Sequence, residues 1–120
     1  MNRRVPILRQ GQTLIASVKD AVSDQEMRDL QARLLSDVVN TGASGAIIYV
    51  SALDVLDSFG SRMLSDIAGA IRLRGARTVI VGIQPEMALS MVLLGLSMGL
   101  VETALDLDAG LEILGHGVRL

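Results

Sequence analysis

A chain of 120 residues is long enough to bury one hydrophobic core, and half of its residues are hydrophobic, which excludes a disordered chain. The net charge of −2 and the aromatic content of 2% provide neither a basic stripe nor a stacking platform, so no nucleic-acid partner is expected. The chain contains no cysteine, which excludes disulfides, thiol chemistry and thiolate metal sites.

The N-terminal third of the sequence predicts a hairpin followed by a helix. Residues 7–9 and 13–18 are two short apolar runs separated by a glycine-containing turn, the pattern of a β-hairpin. Ser23 and Glu26 have the spacing of a capping box, and apolar residues recur at helical spacing after them. Gly42 is the expected end of this helix.

The central segment is the one around which the rest of the chain is organised. Residues 46–50 are uncharged and include β-branched side chains, which predicts a strand buried on both faces. From Phe59 to about Arg74, apolar residues recur every three or four positions and predict an amphipathic helix. Asp57 or Ser58 is then in place to cap the first turn, because its side-chain oxygen can accept from an unpaired backbone N–H.

The second half of the chain continues the alternation of strands and helices. Its elements are predicted over residues 78–82, 85 to about 98, 100–104 and 106 to about 115. Asp106 or Asp108 is the expected cap of the last helix. The order ββαβαβαβα predicts an α/β fold, with a mostly parallel but mixed sheet covered by helices, and a single domain over residues 1–120.

The helix predicted from Pro85 onwards is apolar in every direction around its axis. Its uncharged run, residues 87–101, is too short to cross a bilayer, so we expect a soluble, cytoplasmic protein with no membrane partner. Either neighbouring helices cover this segment or part of it contacts another chain, and its methionines favour an adaptable contact surface. The candidate assembly residues are Met87, Met91, Leu94 and Met98.

No set of residues assembles a catalytic centre. Residues 95–99 match the G-x-S-x-G pattern of hydrolases, but a predicted helix precedes the serine and a strand follows it, the reverse of the order a nucleophile elbow needs. Asp54, Asp57 and Asp66 have no histidine nearby, so capping and solvated roles are favoured over a metal site. No nucleotide-binding glycine loop is present. We therefore expect no enzymatic activity, no cofactor and no metal.

The element order and several stretches of sequence resemble the STAS domain of anti-sigma-factor antagonists. The stretches are Asp57-Ser58-Phe59, Gly82-Ile83-Gln84-Pro85, and residues 5–8, 102–107 and 110–112. Within that family the likeness is greatest to the RsbS-like proteins of the bacterial stressosome, and it covers essentially the whole chain. At residues 60–62 the chain departs from the family, in which bulkier or uncharged residues and a lysine are commoner.

The resemblance implies a phosphorylation-switched scaffold of the general stress response rather than an enzyme. RsbS-like proteins self-associate, co-assemble with RsbR-type STAS paralogues and hold an RsbT-type serine kinase. The kinase is released after it phosphorylates the serine of the Asp-Ser motif, and a PP2C-type phosphatase of the RsbX class resets the state. By motif the acceptor is Ser58, with Ser61 less favoured. The implied kinase-interaction surface is Asp54, Asp57, Ser58, Phe59 and Arg62.

Two alternatives remain open at this point. A monomeric, sporulation-type anti-anti-sigma factor would displace a sigma factor from its anti-sigma kinase, and it has less use for an assembly surface. A STAS protein that binds lipid or handles a small molecule would need a pocket lined by polar residues, which the sequence does not offer. Sedimentation with candidate paralogues separates the first alternative from a stressosome scaffold, and native mass spectrometry for a co-purified ligand tests the second.

Overall fold

The alternation of strands and helices produces one mixed sheet within the part of the chain that can be described. The computed structural model describes residues 5–18, 23–50, 58–85, 88–89 and 102–115. The strands are β1 (Ile7–Gln10), β2 (Thr13–Ser17), β3 (Gly45–Tyr49), β4 (Arg77–Val81) and β5 (Glu102–Ala104), and the helices are α1 (Asp24–Thr41), α2 (Ser58–Leu73) and α3 (Leu107–Ile113). The strands lie in chain order, with β1 antiparallel to β2 and all other pairs parallel. The predicted α/β fold is confirmed.

Local sequence signals set the ends of the helices. Ser23 Oγ accepts from the Glu26 N–H at 3.1 Å and Glu26 Oε1 accepts from the Ser23 N–H at 2.9 Å, so the capping box of α1 is complete. Gly42 ends α1 with φ of 68°, a left-handed conformation that costs glycine little. Asp106, rather than Asp108, caps α3, with its Oδ1 accepting from the Ala109 N–H at 2.8 Å.

Differences from the predicted boundaries are small where the chain is described. Strands β3 and β4 each begin one residue earlier than predicted. Strand β5 is described over Glu102–Ala104, and residues 100 and 101 of the predicted strand lie outside the described residues. Pro85, Ala88 and Leu89 have helical backbone, and the Ala88 N–H donates to the Gln84 carbonyl at 2.9 Å. The rest of the helix predicted to about residue 98 lies outside the described residues.

The two faces of the sheet are covered unequally. Because the strand order follows the chain and such crossovers are right-handed, α1 and α2 lie together on one face. Their buried residues pack on alternate residues of the inner strands, including Leu30, Leu34, Leu64, Ile67, Ile71, Ala46, Ile48 and Ile80. On the other face, the short helix α3 packs Leu111 with Ile47, Val79 and Val81. The face of the sheet covered by α1 and α2 therefore holds most of the core.

Thr78 in β4 is a buried polar residue for which we expect an unusual response to mutation. It is 3% exposed, and within the described structure its Oγ1 has no hydrogen-bond partner. Thr78→Val should raise the free energy of unfolding by about 1 kcal/mol, because it removes an unsatisfied hydroxyl while keeping the side-chain shape. Chemical denaturation measures the change.

The same substitution at Thr41 provides the control. Its hydroxyl donates to the Asp37 carbonyl at 2.6 Å and accepts from the Ala43 N–H at 3.2 Å. Thr41→Val should therefore lower the free energy of unfolding by about 1 kcal/mol. A loss of stability in Thr78→Val as well would mean that the Thr78 hydroxyl is satisfied.

Candidate functional site

The candidate site lies at the edge of the sheet where the parallel strands end. Backbone hydrogen bonds continue between neighbouring strands beyond their last residues: the Val18 N–H donates to the Tyr49 carbonyl at 2.7 Å, and the Val50 N–H donates to the Val81 carbonyl at 3.0 Å. Val18 and Val50 are both 1% exposed. This edge is therefore a fixed platform, and α2 follows the strand at its centre.

Ser58 is the first residue of α2. The helix is held to the sheet by a continuous apolar face made of Met63, Leu64, Ile67, Ala68 and Ile71, none more than 8% exposed. Ser58, Arg62 and Asp66 are spaced by four and so share one row along the helix. Arg62 and Asp66 are exposed, so this row faces solvent at residues 62 and 66.

Position 61 belongs to a different row. Ser65 and Ala68, one and two turns further along that row, are half-buried and 1% exposed respectively. The residues that follow position 61 at these spacings therefore lie towards the packed face of α2, whereas Arg62 and Asp66, four and eight residues after position 58, are exposed.

The structure places only some of the predicted surface. Phe59 is the second residue of α2 and Arg62 lies in its second turn. Asp54 and Asp57 lie outside the described residues. The sequence favours only a capping or solvated role for Asp66, and its spacing of eight from Ser58 is the signal that adds it to this row.

The candidate assembly residues Met87, Met91, Leu94 and Met98 also lie outside the described residues. Leu89, in the same predicted helix, is described and is 60% exposed. An exposed leucine at this position agrees with a segment that neighbouring helices do not cover completely.

The charges at the helix starts differ between the three helices. The first turn of α1 contains Asp24 and Glu26, and α3 follows Asp106 with Asp108, whereas the first turn of α2 contains no acidic residue. Negative groups are favoured at the positive end of a helix dipole. A negative group added at Ser58 would thus find no other acidic side chain in the first turn of α2, although Asp57 precedes it directly in the sequence.

Among the residues that can be described, no group of three or more histidine or acidic side chains is placed to hold a metal ion. Within the same ranges, no helix has the length and apolar character needed to cross a membrane.

Comparison with solved structures shows likeness over nearly the full length. A serine-to-glutamate variant of Moorella thermoacetica RsbS has a TM-score of 0.82 and 32% identity, covering 94% of this chain and 96% of that one. A chain in a structure of the stressosome, which is described as a signal integration and transduction hub, has a TM-score of 0.75 and 29% identity. The match covers 92% of this chain and 96% of that one. The unphosphorylated form of the anti-sigma factor antagonist SpoIIAA has a TM-score of 0.71 at 11% identity, which shows the fold alone.

Sequence comparison identifies a longer relative and the family. The RsbT co-antagonist protein RsbRA of Bacillus subtilis (strain 168) is 26% identical over 91 residues, which are 76% of this chain and 33% of the relative. The chain thus spans about a third of that protein. The family model for the STAS domain matches residues 4–109. This chain belongs to the STAS domain family.

Proposed function

We propose that this chain is a non-enzymatic scaffold of a stressosome-type assembly that regulates the general stress response. In this proposal it assembles with itself and with RsbR-type STAS paralogues and holds an RsbT-type serine kinase. Phosphorylation of Ser58 releases the kinase, and a PP2C-type phosphatase of the RsbX class restores the binding state. In this role the chain is an antagonist within an anti-sigma regulatory pathway.

One observation carries the proposal: Ser58 is the first residue of α2 and is followed four and eight residues on by the exposed Arg62 and Asp66, in a STAS domain that is similar to RsbS over 94% of its length. The RsbS relative was solved with a serine replaced by glutamate, a change that introduces a negative charge. The stressosome structure supports assembly as the context, and the RsbT co-antagonist supports a kinase of the RsbT type as the partner.

The position of Ser58 suits a switch that changes the surface without unfolding the domain. A phosphate adds roughly −1.5 to −2 charges at neutral pH, and the start of a helix favours an anion. The buried face of α2, which includes Leu64 and Ile67, is on the opposite side of the helix and need not move. A hundredfold loss of affinity requires about 2.7 kcal/mol, within reach of a charge placed in a desolvated interface.

Reconstitution tests the proposal as a whole. The protein is mixed with an RsbR-type paralogue and an RsbT-type kinase, and the mass of the complex and the amount of bound kinase are measured before and after ATP is added. We expect a large particle that retains the kinase without ATP and loses it as Ser58 is phosphorylated. A protein that stays monomeric and displaces a sigma factor from its anti-sigma kinase would instead establish the sporulation-type alternative.

Assembly through the apolar segment can be tested at a residue that the structure describes. Leu89→Glu should leave thermal unfolding unchanged, because Leu89 is 60% exposed, but should reduce the fraction of protein in the large particle about tenfold. The matched control is Leu73→Glu, at an 88% exposed leucine at the end of α2, which should assemble normally. Equal assembly of the two variants in light scattering would place the interface elsewhere.

A further inference from the structure

Arg62 is an exposed cation near the positive end of a helix, where a positive charge is least favoured. The nearest acid on its row is Asp66, four residues on, and the two side chains form no ion pair in the described structure. A base followed by an acid at this spacing is the weaker of the two possible orders. Arg62 therefore gains little from the acid on its own row and is placed to meet an anion one turn earlier.

The residue four positions before Arg62 is Ser58. Side chains at this spacing lie about 5–6 Å apart at Cβ, and an anion placed before a cation is the stronger order. A phosphate offers three acceptor oxygens, and the planar guanidinium can meet two of them at once. We infer that Arg62 is the internal counter-ion of a phosphate on Ser58, so that phosphorylation withdraws this arginine from the surface while it adds the phosphate.

This inference rests on the proposed function and deepens it by naming how the modification is read. Before phosphorylation, Arg62 is available to a carboxylate on the bound kinase. After phosphorylation, the guanidinium is engaged by the phosphate, so the partner loses an attractive contact and meets a negative group. One modification thus changes two features of the same exposed row.

Ser61 lacks such a partner. The residues three and four positions after it are Leu64, which is 1% exposed, and Ser65, which is half-buried. A phosphate on Ser61 would therefore find no cation on its own row. The pairing with Arg62 is specific to Ser58.

Phosphorus NMR of the intact protein tests the inference directly. Phosphoserine is introduced at position 58 during translation, and the phosphate is titrated in the otherwise unchanged protein, in Arg62→Gln and in Arg72→Gln. Arg72 is also an exposed arginine of α2 but lies in its last turn. The phosphate should titrate at a pH about 0.3 lower when Arg62 is present than in Arg62→Gln, and Arg72→Gln should match the unchanged protein.

Two further results complete the test. The difference should shrink in 1 M salt, where an exposed ion pair is screened. Removal of the competing acid in Asp66→Asn should lower the titration pH slightly further. The same titration curve with and without Arg62 would overturn the inference. Since the phosphate is installed without a kinase, a failure of kinase release would count against the proposed function and leave this result standing.

Discussion

Ser58→Ala is expected to trap the kinase. In the reconstituted complex, this variant should bind an RsbT-type kinase as the unchanged protein does, but addition of ATP should release none of it. After ATP is added, Ser58→Ala should bind the kinase about a hundredfold more tightly than the unchanged protein does. This is the change in affinity that a phosphate at a desolvated contact can produce. The physical reason is that alanine removes the acceptor hydroxyl while leaving the rest of α2 intact.

Ser61→Ala is the matched control, because it removes the same hydroxyl three residues further along. It should be phosphorylated and release the kinase normally, since the row of position 61 leads to half-buried Ser65 and buried Ala68. If Ser61→Ala retained the kinase and Ser58→Ala released it, the acceptor assignment would be reversed.

Ser58→Asp provides the complementary measurement. It adds one negative charge at the start of α2, so kinase affinity should fall about tenfold without ATP. Its thermal unfolding should be no less cooperative than that of the unchanged protein, because the start of a helix tolerates an anion. Collapse of the domain in this variant would show that release proceeds through unfolding rather than through a change of surface.

The sequence predicts the α/β fold because its local signals agree with one another. The capping pair Ser23 and Glu26, the left-handed glycine Gly42 and the uncharged run over residues 46–50 each have one favoured structure, and the structure contains all three. Boundaries shift where two signals compete. Gly82, for example, has φ of 84° and turns the chain, so β4 ends at Val81 instead of at residue 82 as predicted.

The candidate site is less accessible to sequence reasoning. Ser58 is found through its motif and through its place after a buried strand, but the motif does not show which residues of α2 face solvent. That distinction requires the register of α2 against the sheet, which is set by packing of residues such as Ile67 and Ile71. The spacing of Arg62 and Asp66 is visible in the sequence, yet their exposure follows only from the packed helix.

The close packing of α3 on the second face of the sheet is also a feature that the sequence shows only indirectly. Gly110 in α3 lies so close to the sheet that a Cβ placed on it would be 2.9 Å from Val81 Cγ2 and 3.4 Å from Ile47 Cδ1. Both contacted residues are completely buried. Glycine is therefore needed at this position for close approach, although it weakens a helix by up to about 1 kcal/mol relative to alanine.

Gly110→Leu is accordingly expected to lower the free energy of unfolding by about 3 kcal/mol, because overpacking forces α3 away from β3 and β4. Chemical denaturation measures the loss. Glu112→Leu introduces the same side chain at an exposed position of α3 and should change stability by less than about 0.5 kcal/mol.

Gly45→Ala tests the same interface from the sheet side, since its Cβ would lie 2.7 Å from Leu114 Cδ1. Its cost should be smaller than that of Gly110→Leu, because the end of a leucine side chain can move aside whereas the branched Val81 is fixed by its strand. Equal stability of Gly110→Leu and Glu112→Leu would mean that α3 does not pack closely on this face of the sheet. The order of the changes in unfolding free energy for Gly110→Leu, Gly45→Ala and Glu112→Leu therefore measures how closely α3 is held to the sheet.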